Sequence, residues 1–422
     1  MTSFSPDVLV VGGGPGGASA GFWLARAGVS TLVVEKKSFP RDKTCGDGLT
    51  PRAVKQLIDM GFDFDVPMLH RVTGLRAYAG DLKIEMPWPK HTIYPAWGAV
   101  IRRADLDGQV AMLAEKEGAV FQQNTEAVAI VDDGKLAGVE LRRKDAGGTI
   151  EARVVNPRVV VVADGSLSRF GRSLGTQRRR DYPYGLAVRA YAASPNSRDP
   201  MIESQLNIVD GSGRMLPGYG WIFPLGDGTI NVGAGVISSF KAFKEVNTSR
   251  IFEAYISGLP AHWEVDESSL LTRPVGGKLP MSLSVGPRVG PNWVAIGDAV
   301  GAVNPFNGEG IDYAYETGRK AARHVAEALG ADDLSRLQEY EADLEAEYGD
   351  YNRVARVFLS AIGRPAVMRT LTRTGLRSRP LMEWVLKVMA NLLEPEDRGM
   401  SERVYGMIER IVKMAPDRLT KS

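Results

Sequence analysis

A chain of 422 residues is longer than one compact core usually holds, so two or three substructures are expected. Lys and Arg number 52 against 50 Asp and Glu, a near-neutral balance that argues against a nucleic-acid partner; the single cysteine, Cys45, excludes an internal disulfide, and the 4 histidines are too scattered for a metal-ligand cluster. The residues before Val8 carry no basic n-region, and no apolar run approaches about eighteen residues, so the expectation is a cytoplasmic protein without a membrane span, with peripheral attachment open. The first element is an aliphatic strand, Val8-Leu9-Val10-Val11, running into Gly12-Gly13-Gly14-Pro15-Gly16-Gly17. A small-residue helix follows to about Ala27, then a second aliphatic strand, Leu32-Val33-Val34, closed by the acid Glu35. The G-x-G-x-x-G turn between strand and helix, with an acid at that distance, predicts a dinucleotide-binding βαβ unit. Gly12 permits the tight turn, Gly14 the approach of a pyrophosphate and Gly17 close helix packing, while Glu35 holds ribose hydroxyls. The motif does not separate FAD from a nicotinamide nucleotide.

Next comes a turn-rich loop, Phe39 to Pro51, then a helix with Ala53, Val54, Leu57 and Ile58 on one face. Residues 71–98 read as short sheet strands broken by Pro87, Pro89 and Pro95. The run from Val100 to Asp107 starts an amphipathic helix that continues through Val110, Leu113 and Ala114 and precedes three strands at roughly 119–131, 136–144 and 149–155. Val159 to Val162 reads as a buried strand ending at Ala163-Asp164-Gly165. From about 180 to 275, Gly, Pro and Asp separate short strands of an antiparallel layer, with Gly218-Tyr219-Gly220-Trp221-Ile222-Phe223-Pro224 and Asn231-Val232-Gly233-Ala234-Gly235 at its centre. Dinucleotide chemistry returns at Trp293 to Asp298, followed by Pro305-Phe306-Asn307-Gly308-Glu309-Gly310 and a helix from Ile311 to about Leu329. The expected division is a discontinuous nucleotide-binding domain (1–75, 99–178 and 276–332), an inserted sheet domain (76–98 and 179–275) and a helical C-terminal region (333–422). In the last of these, Leu381, Trp384, Val385, Val388, Met389 and Leu392 form an apolar stripe opposite a Glu383–Lys387 pair. Residues 351–422 hold 14 Lys and Arg against 7 Asp and Glu, a basic tail on an acidic body.

Three separated motifs, Gly12 to Glu35, Asp164-Gly165, and Gly297-Asp298 with Pro305-x-x-Gly308-x-Gly310, stand in an order that resembles the aromatic-hydroxylase superfamily of flavoproteins. The resemblance implies an α/β, glutathione-reductase-type FAD-binding fold with an inserted antiparallel sheet and a helical tail. Lys43-x-Cys45-Gly46-x-Gly48, Tyr219-x-Trp221-x-Phe223-Pro224 and Asn231-Val232-Gly233-x-Gly235 are similar to the geranylgeranyl reductase family, which saturates isoprenoid double bonds with reduced FAD. The whole pattern, tail included, looks most like its actinobacterial members that reduce one double bond of menaquinone's prenyl chain.

That resemblance implies an ADP half of FAD held by Gly12 to Gly17, Glu35 and Lys36, a linker reached by Arg103 with Arg102 pointing the other way, and a ribityl and ring site at Asp164, Gly165, Asp298, Gly308, Gly310 and Ile311. It places Cys45, Gly46, Asp47 and Gly48 beside the flavin, with Cys45 facing the alkene. Tyr219, Trp221 and Phe223 fall on one face of a strand, suited to wall a prenyl chain, and Cys45, Tyr219 and Trp221 are the catalytic candidates. No second G-x-G-x-x-G unit follows, so the electron donor is either a transient NAD(P)H or a redox protein. Arg364, Arg369, Arg373, Arg377, Arg379 and Lys387 lie among apolar residues, a composition suited either to an anionic membrane surface, peripheral on the inner face of the cell membrane, or to a helical cap with solvated arginines. The rival activities are reduction of other prenyl lipids, flavin monooxygenation or halogenation, and non-catalytic prenyl-lipid carriage. The halogenase motif W-x-W-x-I-P is matched here only by Tyr219-x-Trp221-x-Phe223-Pro224, which favours the reductase.

Overall fold

Strands Val8–Val11, Thr31–Val34 and Val159–Val162 are buried along their full length, as unbroken aliphatic runs require when both faces of a parallel sheet are covered. In the computed structural model, which describes residues 6–145, 147–240, 242–393 and 400–414, they form the centre of a six-stranded sheet. Its order is Val120–Gln122, Thr31–Val34, Val8–Val11, Val159–Val162, Trp293–Ala295, Val289–Gly290, parallel except at the last pair. Helices Pro15–Arg26 and Ile311–Gly330 contribute Ala18, Leu24, Tyr315 and Val325 to the core of this layer. The strand expected over 119–131 is two strands. Asn124 takes a left-handed φ of 54°; Val120–Gln122 joins the parallel sheet, whereas Thr125–Asp132 pairs with Lys135–Lys144 in a separate three-stranded sheet that includes Ile150–Val155.

The second layer is a seven-stranded sheet in the order Val275–Pro280, Tyr184–Ala193, Thr229–Ile237, Gly218–Pro224, Met201–Gln205, Gly74–Ala79, Leu82–Pro87. All its neighbours are antiparallel except Met201–Gln205 with Gly74–Ala79. Strands Gly74–Ala79 and Val275–Pro280 each straddle one of the domain boundaries expected at 75/76 and 275/276. A small sheet of Gly48–Leu49, Gly98–Val100 and His70–Val72 links the two layers.

Among the described residues four α-helices follow: Gln338–Ile362, Pro365–Gly375, Arg379–Met389 and Met400–Met414. Met382, Leu386 and Ala390 pack on Ala77, Met86 and Trp88 at the far edge of the second sheet. Tail residues 394–399 and 415–422 lie outside the described residues. Two sequence readings are corrected here. Ile58 is 44% exposed while Ala53, Val54 and Leu57 are buried. Glu383 pairs with Arg379 at 2.8 Å, and Lys387 reaches Glu402 at 3.9 Å instead of Glu383; each acid or base took the partner that packing brought nearer. His324, Glu327 and Glu339 come together with ligand atoms within 4.8 Å of one another, a grouping that sequence spacing does not reveal, and His324 Nε2 already meets Asp343 at 3.1 Å. Among the described residues no helix is long and apolar enough to cross a membrane.

Candidate functional site

The glycine turn leaves no room for side chains at two of its positions. Gly12 has φ +106°, and a Cβ there would sit 2.4 Å from the Ala163 carbonyl oxygen; a Cβ on Gly17 would sit 1.8 Å from the Gly12 carbonyl oxygen. Gly14 caps the helix, Pro15 occupies its first turn, and no side chain caps the free amides, so they are open to an anion. A Cβ on Gly14 would meet only the guanidinium ends of Arg41 at 3.7 Å and Arg103 at 3.9 Å. Glu35 accepts from the Gly13 amide at 3.1 Å and pairs with Arg41 at 3.2 Å. Arg41 also holds Asp107 at 2.9 Å, and Arg103 grips Asp107 at 2.7 and 2.8 Å. Arg102 turns away to Asp227 at 2.6 Å. Lys36 borders the cavity, but its ammonium pairs with Glu126 at 2.6 Å.

Gly165 follows Asp164 at the end of Val159–Val162. Asp164 Oδ2 accepts from the Phe170 amide at 2.9 Å, its Oδ1 is buried with no partner, and burial pushes the carboxyl up from its ordinary value. Asp298 is also shifted up by burial, against the pull of Lys43 and Arg103. A Cβ on Gly310 would lie 3.3 Å from Asp298 Oδ1, so the two strand-end acids and the start of helix Ile311–Gly330 border one space with Gly308 and Ile311. These features fit FAD: a cradle that a Cβ would fill, an orphaned carboxylate oxygen, and uncapped helix amides.

The loop of Cys45 to Gly48 is fixed from the second sheet. Asn231, wholly buried, donates to the Cys45 carbonyl at 2.9 Å and to Asp47 Oδ2 at 2.8 Å, and accepts from Trp221 Nε1 at 3.0 Å. Tyr191 OH donates to the same Asp47 oxygen at 2.6 Å, and the Arg103 amide donates to Asp47 Oδ1 at 3.2 Å. Gly233 leaves the room that Trp221 fills: a Cβ there would stand 2.3 Å from the indole. Phe223 packs on the glycines of the loop, 3.0 Å from a Cβ built on Gly46 and 2.9 Å from one on Gly48. Tyr219, Trp221 and Phe223 lie in a row with ring centroids 6.0 and 6.2 Å apart and all border the cavity; Tyr219 OH donates to the Asn307 carbonyl. Burial raises the Cys45 thiol pKa, so the thiol keeps its proton at neutral pH.

Behind the Pro305–Gly310 loop lies a charged cluster that the sequence reading missed. Glu309 borders the cavity, accepts from Thr50 Oγ1 at 2.6 Å and is pushed by burial to about 7. Asp312 is fully buried with neither carboxylate oxygen partnered; burial, then Glu309 and Glu316, drive its pKa well above 3.8. An acid whose folded pKa is raised binds more protons folded than unfolded, so its penalty grows as pH rises above the ordinary carboxylate range. Asp312→Asn is therefore expected to stabilise the protein by about 2 kcal/mol at pH 8 and by less at pH 5, as read from denaturant midpoints. An equal or greater gain at pH 5 would contradict the assignment.

One cavity of about 1460 Å³ joins the cradle, the Cys45 loop and the aromatic row to the tail helices, where Phe358, Ile362, Met368, Leu371, Leu381, Trp384, Val385 and Met389 line it. The apolar stripe of the tail was legible in the sequence; that four of its members face the cavity was not. Arg41 and Lys43 also border the site; Lys43 opens the motif that runs to Gly48, whereas only its place in the loop after Glu35 would have flagged Arg41.

Residues 5–207 match the FAD binding domain family. The chain is similar to a menaquinone reductase of Mycobacterium tuberculosis, 38% identical over 417 residues and covering 98% of each chain. It is 30% identical to a digeranylgeranylglycerophospholipid reductase of Thermoplasma volcanium, over 78% of this chain and 80% of that one. Among solved structures, a geranylgeranyl bacteriochlorophyll reductase-like protein of Thermoplasma acidophilum superposes with a TM-score of 0.76 at 23% identity, covering 96% of this chain and 99% of that one, a likeness of fold.

Proposed function

Since the chain belongs to the geranylgeranyl reductase family of FAD-dependent oxidoreductases, we propose that it reduces a carbon–carbon double bond in the prenyl chain of menaquinone, working peripherally at the inner face of the cell membrane. The observation that carries this reading is the continuity of one largely apolar cavity from the dinucleotide cradle to the tail helices. An extended isoprenoid fits such a space, whereas the small polar substrate of a hydroxylase would leave its apolar length unused. An identity of 38% that extends over 98% of a menaquinone reductase supports the choice of lipid.

FAD, when bound and reduced, supplies a hydride equivalent. The residues do the rest. Gly12 to Gly17 and Glu35 seat the adenosine and pyrophosphate half, with Arg41 and Arg103 as counter-charges over Gly14. Asp164 and Asp298 offer carboxylates to the hydroxyls of the linker. Asn231 and Tyr191 hold the Cys45–Gly48 loop in place through Asp47, and Tyr219, Trp221 and Phe223 present an aromatic wall that orients the chain and excludes water. Cys45, kept as a thiol by burial, stands in that loop with a proton to face the alkene. The donor of electrons is a transiently docked nicotinamide nucleotide or a redox protein.

The test is anaerobic. Purified protein is reduced with dithionite, unsaturated menaquinone is added in detergent, and the lipid is analysed by mass spectrometry. A gain of two hydrogens is expected; unchanged menaquinone with saturation of geranylgeranyl lipids would move the substrate to that class, and oxygen uptake with a hydroxylated product would overturn the reaction.

A further inference from the structure

Helix Met400–Met414 is apolar on two sides. Its inner side, Tyr405, Ile408 and Val412, packs with Phe306, Val354 and Trp384. On the other side Val404, Met407 and Ile411 are 42%, 62% and 57% exposed, one turn apart, flanked by the exposed Arg403 and Arg410. A helix already satisfied on its inner face gains nothing in water from a second apolar stripe. Nearby, Leu371 on helix Pro365–Gly375 and Leu381 on helix Arg379–Met389 are 47% and 39% exposed and also line the cavity, which marks them as its mouth. Arg369 and Arg373 on the helix that carries Leu371, and Arg377 just after it, are also exposed. The helices carrying the two features are adjacent: Trp384, Val388 and Met389 pack in the same cluster as Tyr405 and Val412, and Lys387 reaches Glu402 at 3.9 Å.

We propose that this face seats on an anionic lipid surface, with the Val404–Met407–Ile411 stripe dipped into the interface and the gap between Leu371 and Leu381 serving as the portal through which a prenyl chain passes from bilayer to cavity. The proposal rests on the reading of the cavity as a prenyl-chain site. Charge selects the occupant: exposed arginines on the same helices as exposed apolar side chains match anionic headgroups above acyl chains, and each contributes on the order of 1 kcal/mol near such a surface, whereas a neutral protein partner would leave those cations uncompensated. Apolar burial holds the helix once charge has brought it there.

Flotation of the FAD-loaded protein with vesicles of phosphatidylglycerol and phosphatidylcholine, against phosphatidylcholine alone, tests the surface. The protein should float with the anionic vesicles and be released in part by high salt. Met407→Asp/Ile411→Asp should cut the floated fraction at least tenfold and abolish reduction of vesicle-embedded menaquinone, while flavin absorbance, melting temperature and turnover of detergent-solubilised menaquinone stay at wild-type levels. Flotation of the double variant equal to wild type, or wild-type flotation indifferent to phosphatidylglycerol, would overturn the proposal. Wild-type flotation without turnover of detergent-solubilised menaquinone would leave the surface standing and sink the proposed reaction instead.

Discussion

Gly17→Val should purify as a colourless, poorly stable protein. The first atom of the new side chain would sit 1.8 Å from the Gly12 carbonyl oxygen, and both partners are backbone in a core layer, so neither can swing aside. Relief requires helix Pro15–Arg26 to lift from strand Val8–Val11, whose residues are almost wholly buried; overpacking of this kind costs about 1–3 kcal/mol or more, and the lifted amides no longer face the pyrophosphate. Gly14→Ala separates the two effects. Its Cβ would meet only side-chain ends at 3.7 and 3.9 Å, so the apo fold should melt within about 0.5 kcal/mol of wild type while the methyl group occupies the approach path of the cofactor. Flavin absorbance after purification and melting with and without added FAD check both. A yellow Gly17→Val protein of normal stability would show that the turn is not the cofactor's cradle.

The difference between those two glycines shows what a sequence can carry. The βαβ unit was legible because every constraint on it is local: an aliphatic run, a turn with room for no Cβ at Gly12 and Gly17, and an acid that returns to the Gly13 amide. The inserted sheet was legible as a layer because alternation and turn residues are also local. What holds the site was not. Asn231 joins Trp221, ten residues away, to Cys45 and Asp47, more than 180 residues away, and no periodicity reports such a bond. The motif Asn231-x-Gly233 could be recognised by resemblance, but its physical cause, an amide bridge and a space for an indole, needs the fold.

The tail shows the same limit. Its stripe at helical spacing reads as one apolar face, yet the helix ends at Met389: Leu381, Trp384, Val385 and Met389 line the cavity, while Leu392, past the helix end, packs at the sheet edge. Burial from two sides cannot be resolved from period alone. Ion pairs are less legible still: Glu383 had one base four residues before it and another four after, and the structure uses the earlier one.

Arg52→Met should cost about 3–5 kcal/mol, a large share of the roughly 5–15 kcal/mol that holds a typical domain. Arg52 is buried and binds Glu316 through two bonds, at 2.7 and 2.9 Å, and the Asn391 carbonyl at 3.0 Å. Burial alone would lower its pKa; Glu316, Tyr94 and Tyr313 raise it well above the ordinary value instead, so the charge is held permanently beside the unpartnered Asp312. Methionine matches the volume but strands Glu316, which then keeps only the Tyr348 hydroxyl at 2.7 Å, and it frees the carbonyl that ties the end of the Arg379–Met389 region to the body. If the loss comes from a stranded charge, Arg52→Met/Glu316→Leu should recover at least half of it, because replacing both members of a buried pair by apolar residues is far milder than removing one. If it comes from the severed link to Asn391, the double variant should be no better than the single one, and limited proteolysis should cut the tail helices first. Denaturant midpoints of the three proteins decide between these causes, and a single variant as stable as wild type would show that the cluster is held by its tyrosines alone.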